Sequence, residues 1–371
     1  MNLKNEESPS NLLWIYFLVS LGVALQVGAA NWDIMWHGII NVESFFTPPH
    51  SVLYFGVGLS LVSTIAGIIW SLRHKIDSVG LFAAYRKIPT PLKLIVIGCS
   101  IEVISGLFDN WWHANFGFDG LLSPPHLMLI SGMTLSIIGA LIGTHLDKTH
   151  KRFHIISEMI CYGILWMILI NFVFMFTLPF SKGQFFDFNP SPTAALMLGL
   201  MFPAAFTAII FYSVQNLSFP FRMTVVAATL ITIQSLATII SNIYFAGLLP
   251  LYLLNILIPL SLDIISIYTK NNNKVFRKYS NADHKRIILS IIISLFFITF
   301  YFPWSVNMFK TFFEIDLITF ESVTIFEHLV WKFIIPILIP VSAVSAYIGI
   351  LVWKKLYEYA KLTNKFKVVV G

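Results

Sequence analysis

The fold class follows from residues 11–37, which have the sequence NLLWIYFLVSLGVALQVGAANWDIMWH. Asp33 is the only acidic residue in this segment, which contains no Lys or Arg. A helix of this length measures about 40 Å, which is enough to cross the roughly 30 Å hydrocarbon core of a membrane. Because strands would alternate polar and apolar residues in short segments, the continuous apolar run predicts a transmembrane helix.

Similar apolar runs recur along the chain of 371 residues, of which 57% are hydrophobic and 11% are charged. The mean hydropathy of +0.79 and the low charged fraction exclude a water-soluble globular protein. We therefore predict an all-α fold, a polytopic transmembrane helical bundle with about ten spans in the cell membrane. The predicted spans are residues 11–37, 48–71, 92–114, 124–145, 155–178, 191–213, 223–242, 246–268, 286–304 and 330–353.

The basic residues predict the orientation of these spans. A net charge of +6 could indicate a nucleic-acid partner, but the Lys and Arg side chains lie between the spans, so we predict none. Of the 24 Lys and Arg residues, all but Lys182, Lys310 and Lys332 fall on one side of the predicted topology. The positive-inside rule therefore predicts that both termini are cytoplasmic.

The chain contains an internal repeat of a helical hairpin. The two copies align when Asp33 is placed opposite Asp109. Asn31–His37 (NWDIMWH) aligns with Leu107–His113 (LFDNWWH), and 47–50 (TPPH) aligns with 123–126 (SPPH) without a gap. We predict a tandem duplicated hairpin whose parallel copies are related by a pseudo-two-fold axis along the membrane normal.

This duplication also predicts the domain organisation. Residues 1–145 form a four-helix half that contains a metal site, and residues 146–371 form a six-helix half. The first apolar run could be a cleaved signal peptide, since small residues follow it. It aligns with an internal helix, so we expect it to be retained. Cys99 and Cys161 lie far apart inside predicted spans and predict neither a disulfide framework nor a zinc site.

Each copy carries the same three candidate metal ligands. The aspartate and the first histidine are four residues apart and share one helix face. In the following loop, Thr or Ser suits an N-cap and Pro suits the first helical position, which places the second histidine in the first turn of the next helix. A helix N-terminus keeps that imidazole neutral and able to bind a metal. The two sets are Asp33, His37 and His50, and Asp109, His113 and His126.

Two imidazoles and one carboxylate suit iron, copper or zinc. The alternative is that these residues are ordinary polar side chains at a membrane interface. Recurrence of ligand types and spacings favours a metal site, because the intervening loops, residues 38–46 and 114–122, share no identity.

The motif is Asp, three residues, His, twelve residues, His, divided between two consecutive helices. It resembles the metal site in the C subunit of the copper membrane monooxygenases, the family of particulate methane monooxygenase and ammonia monooxygenase. The resemblance covers about 18 residues in each copy and implies that both sets are copper ligands. It also implies oxygen activation during hydroxylation of ammonia or small hydrocarbons, and partner membrane subunits. The family's C subunit carries one such motif, whereas this chain carries two.

Glu102 lies seven residues before Asp109 on the same predicted helix face, and Gln26 occupies the equivalent position in the first copy. Near the middle of a span, an ionised carboxylate is costly and is expected to be paired or protonated. Two hypotheses stay open for Glu102 and Gln26. Glu102 is a proton donor or supporting group beneath the metal, or it is a neutral acid bonded to a neighbouring helix.

These observations favour an integral membrane metalloprotein, with copper as the first candidate metal and iron or zinc as alternatives. A monooxygenase-type oxidoreductase acting on a small molecule near the extracytoplasmic face is the leading enzyme hypothesis. One alternative is a transporter for a metal ion or small solute, although cation pathways usually need several ionisable groups at depth. The other is a non-catalytic scaffold or assembly protein whose metal sites hold four helices together.

Overall fold

The computed structural model describes residues 11–39, 44–75, 88–117, 121–147, 151–177, 192–214, 217, 219–271, 340–352 and 354–355. Within these residues every regular element is helical, which confirms the all-α prediction there. The α-helices are α1 (Asn11–Ile39), α2 (Pro48–Lys75), α3 (Thr90–Phe116), α4 (Pro124–Leu146), α5 (Lys151–Thr177), α6 (Pro192–Val214), α7 (Arg222–Ser241), α8 (Leu249–Leu254), α9 (Leu257–Asn271) and α10 (Pro340–Val352).

Seven helical segments among the described residues are long and apolar enough to cross a membrane, so the protein is a membrane protein. They are Leu12–Trp36, Pro48–Arg73, Thr90–Phe116, Pro124–Leu146, Arg152–Val173, Arg222–Ser241 and Phe245–Ile267. Two shorter apolar helices cover Met201–Val214 and Pro340–Val352. The predicted span at 286–304 lies outside the described residues. The total of about ten spans and the cytoplasmic termini stay predictions.

The predicted span 246–268 corresponds to the candidate span Phe245–Ile267, and its helix contains a break. A 3₁₀-helix, Ile243–Leu248, leads into α8, and a turn at residues 255–256 separates α8 from α9. The physical reason is Pro259, which has no backbone N–H to donate to the carbonyl four residues earlier and restricts the residue before it.

The described residues divide into two compact units. The first contains α1–α4, α5 as far as Ile168, and Val225–Leu253. The second contains the end of α5, the described part of Pro190–Thr224 and the described residues from Leu254 onward. All six candidate metal ligands belong to the first unit.

The first four helices bury polar as well as apolar side chains between them, and they expose large apolar side chains on their outer surface. On α1, Trp14, Leu18, Leu21 and Leu25 form an exposed stripe at helical spacing. The buried polar side chains of α1–α4 are Ser20, Gln26, Asn31, His50, Ser60, Ser63, Thr64, Ser71, Glu102, Ser105, Ser136 and Thr144. This distribution is typical of helices that face lipid on one side and hydrogen-bond with each other on the other.

The helices of each hairpin approach closely at paired glycines. A Cβ atom added to Gly22 would lie 2.7 Å from Gly56 O, and one added to Gly56 would lie 2.6 Å from Gly22 O. Gly98 and Gly132 repeat this contact between α3 and α4, with corresponding distances of 2.7 and 2.8 Å. Small residues are what permit such backbone contact between membrane helices.

The two hairpins contact each other in two equivalent ways, because the first helix of each hairpin packs against the second helix of the other. Helix α1 packs against α4, and α2 packs against α3. Gly67 on α2 faces both Ile15 on α1 and Leu92 on α3, whereas Gly143 on α4 faces the ring of Tyr16 on α1. Gly67 and Gly143 occupy equivalent positions of the two aligned copies, as do Tyr16 and Leu92. The four helices thus form one core that surrounds Gln26 and Glu102.

Candidate metal centre

The second motif lies where α3 ends and α4 begins. Asp109 and His113 occupy the last two turns of α3, and His126 is the third residue of α4. Ser123 is the N-cap of α4, and its Oγ accepts a hydrogen bond from the backbone N–H of His126 at 3.4 Å. The predicted cap and the proline at the first helical position are therefore confirmed in this copy. The short loop folds all three ligands to the same end of the hairpin.

Asp109, His113 and His126 bring one potential ligand atom each within 4.8 Å of one another. His113 Nε2 lies 3.5 Å from Asp109 Oδ1, and His126 Nε2 lies 3.4 Å from the same oxygen. Two atoms bound tetrahedrally at about 2.0 to 2.1 Å from one ion are about 3.3 Å apart. The two aspartate–histidine distances therefore fit ligands of a single transition-metal ion, and the three side chains form a group that could hold one.

The outer nitrogens of both imidazoles are held by backbone carbonyls. His113 Nδ1 lies 3.1 Å from Gly117 O, and His126 Nδ1 lies 3.0 Å from Leu121 O. A carbonyl oxygen can only accept, so each Nδ1 carries the hydrogen and donates it. This orients both rings with Nε2 toward Asp109, which is the arrangement that metal-binding histidines usually adopt.

The tautomers create an electrostatic conflict at Asp109. When His113 and His126 are neutral and carry their hydrogen on Nδ1, each Nε2 presents a lone pair to Asp109 Oδ1. This carboxylate oxygen is also only an acceptor, so the atoms repel each other. Asp109 Oδ1 is shielded from solvent and accepts no hydrogen bond of standard geometry. A cation between the three atoms, or a proton on an imidazole, removes this repulsion. A positive charge at this point would therefore be stabilised by all three side chains.

In the first copy the structure describes two of the three predicted ligands. His50 Nε2 lies 3.3 Å from Asp33 Oδ2, and His50 Nδ1 lies 3.0 Å from Ser44 O. The His50 backbone N–H donates to Thr47 Oγ1 at 3.4 Å, as the predicted cap requires. His37 lies in α1, but its side chain is outside the described part of the chain. The Asp33–His50 pair therefore has the same design as the Asp109–His126 pair.

The two ligand sets are neighbours within the first unit. The ring of Tyr54, one turn beyond His50 on α2, would lie 3.5 Å from a Cβ atom added to Gly106 on α3. Gly106 is three residues before Asp109, and His50 is close enough to Asp109 to act on it electrostatically. The contact between α2 and α3 therefore brings the first set beside the second.

Sequence reasoning missed Gly117, which ends α3 and orients His113. Gly117 has φ 74°, in the left-handed region that favours glycine. Its N–H bonds to the carbonyl of His113, and its own carbonyl accepts from His113 Nδ1. The available signal was a glycine four residues after a histidine at the end of a helical pattern.

A second group of titratable side chains, also missed, lies at the other end of α4. His145 Nδ1 is 2.9 Å from Glu158 Oε1, and His154 Nε2 is 3.7 Å from Glu158 Oε2. The buried Glu158 carboxylate is thereby placed between two imidazoles. The spacing of His154 and Glu158, four residues apart on α5, was the signal for this pair.

Glu102 and Gln26 are not part of the ligand cluster. Glu102 lies seven residues before Asp109 on α3, which corresponds to about 10 Å along the helix axis. Both side chains are buried between the hairpins. They face the core from equivalent positions of α1 and α3.

Comparison with protein-family models, curated proteins and solved structures finds no significant match to this chain.

Proposed function

We propose that this protein is an integral membrane metalloprotein that binds a transition-metal ion through Asp109, His113 and His126. The observation that carries the proposal is the convergence of two imidazole Nε2 atoms on one shielded carboxylate oxygen, with both Nδ1 atoms held by carbonyls. Imidazole and carboxylate donors suit copper, zinc and iron. Three protein ligands leave coordination positions available for a further ligand.

We also propose that Asp33, His37 and His50 form a second site, and that the two hairpins arose by duplication. The paired glycines, the caps and the aspartate–histidine contacts recur at equivalent positions of the two copies. The exchanged contacts between hairpins fit a pseudo-two-fold axis, which would relate the two sites. Their proximity is compatible with a dinuclear centre.

Copper and oxidoreductase chemistry form the finer part of the proposal and rest on the motif's resemblance to the copper membrane monooxygenases. A copper ion held by these residues would supply one-electron redox chemistry and a position where oxygen can bind. The protein's own groups would position the ion, orient its ligands and separate the site from the membrane core. Transport of a cation is less favoured, because cation pathways usually need several ionisable groups within the membrane. In α1–α4, Glu102 is the only acidic residue between the metal motifs and the opposite ends of the helices.

Metal loading of purified protein tests this proposal directly. Chelator-treated protein in mild detergent is titrated separately with Cu²⁺, Zn²⁺ and Fe²⁺, and bound metal is measured by mass spectrometry. We expect Asp109→Asn to weaken binding by more than about 100-fold, because losing an outer partner of a ligand already costs about 10- to 100-fold. Asn110→Ala is the matched control, since Asn110 is the exposed neighbour on the same helix. Equal binding by the two variants would contradict the site.

We further propose that both motifs face the extracytoplasmic side, on the strength of the basic loops. Asp119→Cys, between the ligands of the second motif, should react with a membrane-impermeant thiol reagent added to intact cells. Lys278→Cys, in the predicted basic cytoplasmic loop, should react only after the cells are opened. The native Cys99 and Cys161 are buried and should give little background. The opposite labelling pattern would reverse the orientation.

A further inference from the structure

Glu102 lies in the middle of the four-helix core among polar groups from both hairpins. Its side chain is 2% exposed, and Gln26, Ser60 and Ser136 are fully buried. Ser136 Oγ donates to Glu102 Oε1 at 2.8 Å, and Gln26 Nε2 lies 3.5 Å from Ser60 Oγ. Gln26 is also within hydrogen-bonding reach of the Glu102 carboxyl group. The two hairpins therefore meet at a contact between equivalent residues.

This group lacks one hydrogen-bond donor. Glu102 Oε2 and Gln26 Oε1 are both shielded from solvent, and neither accepts a hydrogen bond of standard geometry. When Glu102 is ionised, Gln26 can donate an amide N–H to the carboxylate. Gln26 Oε1 then stays a buried acceptor without a donor, which costs free energy. A proton on Glu102 Oε2 turns one of these oxygens into a donor. The amide of Gln26 can then present its oxygen to that donor by a half-turn of the group.

In the described helices α1–α4, Lys and Arg occur only near helix ends, at Arg73, Lys75 and Lys93, and not beside Glu102. Neither Lys nor Arg occurs at residues 5–72 or 94–147, which include almost all of α1–α4. None of the ion pairs between described residues involves Glu102. Burial of an unpaired carboxylate between membrane helices is strongly unfavourable, so the neutral acid is favoured.

We propose that Glu102 and Gln26 form a proton-binding site at the centre of the membrane core, in which Glu102 Oε2–H donates to Gln26 Oε1 at neutral pH. The site holds one exchangeable proton about 10 Å along α3 from Asp109. Its ligand is a proton rather than a metal ion, because Ser136 and the close contacts at Gly56 and Gly132 surround the pair. The proposal does not depend on metal binding at the motifs.

Infrared spectroscopy of the purified full-length protein at pH 7 tests this site. Glutamate labelled with ¹³C in the carboxyl group identifies the C=O stretch of a protonated glutamic acid in the unaltered chain. We expect one such band, which shifts in ²H₂O, disappears in Glu102→Gln and persists in Glu158→Gln. Glu158 is the matched control because it is equally buried but lies between two imidazoles. Absence of the band from unaltered protein overturns the proposal, as does its persistence in Glu102→Gln.

An exchange variant separates proton binding from a purely structural role of Glu102. In the double variant Gln26→Glu, Glu102→Gln, the carboxyl group moves to the equivalent position, where Ser60 takes the place of Ser136. We expect this variant to regain the protonated-acid band that Glu102→Gln lacks. A folded exchange variant without the band would show that the pair does not share a proton. If sodium ions abolish the band in unaltered protein, the site binds a cation and the proposal is wrong.

Discussion

Replacing His50 and His126 together with Ala is expected to remove all tightly bound metal from the purified protein. Each histidine is held by a cap in the first turn of its helix and presents Nε2 to the aspartate of its own motif, at 3.3 Å and 3.4 Å respectively. Without them, each set retains one aspartate and one histidine, which is too few donors to hold a borderline metal tightly. We expect affinity to fall by more than about 100-fold at both sites.

Single variants then distinguish independent sites from coupled ones. If the sites act independently, His126→Ala should lose one metal ion per chain and His50→Ala should lose the other. If the two sets hold a dinuclear centre, either variant should lose both ions, and X-ray absorption should detect a metal–metal distance in unaltered protein. Metal content is measured by mass spectrometry against Asn110→Ala, which leaves all six ligands in place. Unchanged metal content in the double variant would mean that the motif residues are ordinary polar side chains at a membrane interface and not metal ligands.

The candidate site could be predicted in part because its spacings are local. The spacing of Asp109 and His113 fixes a shared helix face, and the Ser-Pro-Pro sequence fixes where α4 begins. The carbonyls that orient the rings could not be predicted, because they belong to loops without a repeating pattern. Ser44 and Leu121 supply them in the two copies, although these two residues do not align with each other in the repeat.

For the fold as well, features set by the local sequence could be predicted, whereas contacts between distant segments could not. Continuous apolar runs predicted α1–α4, since spanning length depends only on local composition. The contact of Gln26 with Glu102 depends on how two separate hairpins pack, and no local pattern encodes that pairing. The turn before Pro259 was missed for a different reason, because the apolar run continues through it and hides the missing backbone donor.

The second large effect concerns the contact that brings α3 and α4 together beside the proton-binding site. Gly132→Ala is expected to destabilise the protein by about 1 to 3 kcal/mol, the usual cost of adding a methyl group to a packed core. Its new Cβ atom would lie 2.8 Å from Gly98 O and 2.6 Å from Glu102 Cγ, so the backbones must separate. A flexible side chain could move away, whereas the Gly98 carbonyl is fixed in the hydrogen bonds of α3.

Gly58→Ala is the matched control, because a Cβ atom added to this exposed glycine of α2 has no neighbour within 4 Å. Alanine is favoured over glycine in a helix by about 1 kcal/mol, so this variant should be as stable as the unaltered protein or slightly more stable. Thermal unfolding in one detergent, followed by circular dichroism, compares the two variants under equal conditions. We expect Gly132→Ala to unfold at a clearly lower temperature than Gly58→Ala. Gly56 is the equivalent of Gly132 in the first copy and makes the same contact with Gly22, so Gly56→Ala should show a similar loss of stability. Equal stability of all three variants would contradict the close approach of the helices at these glycines.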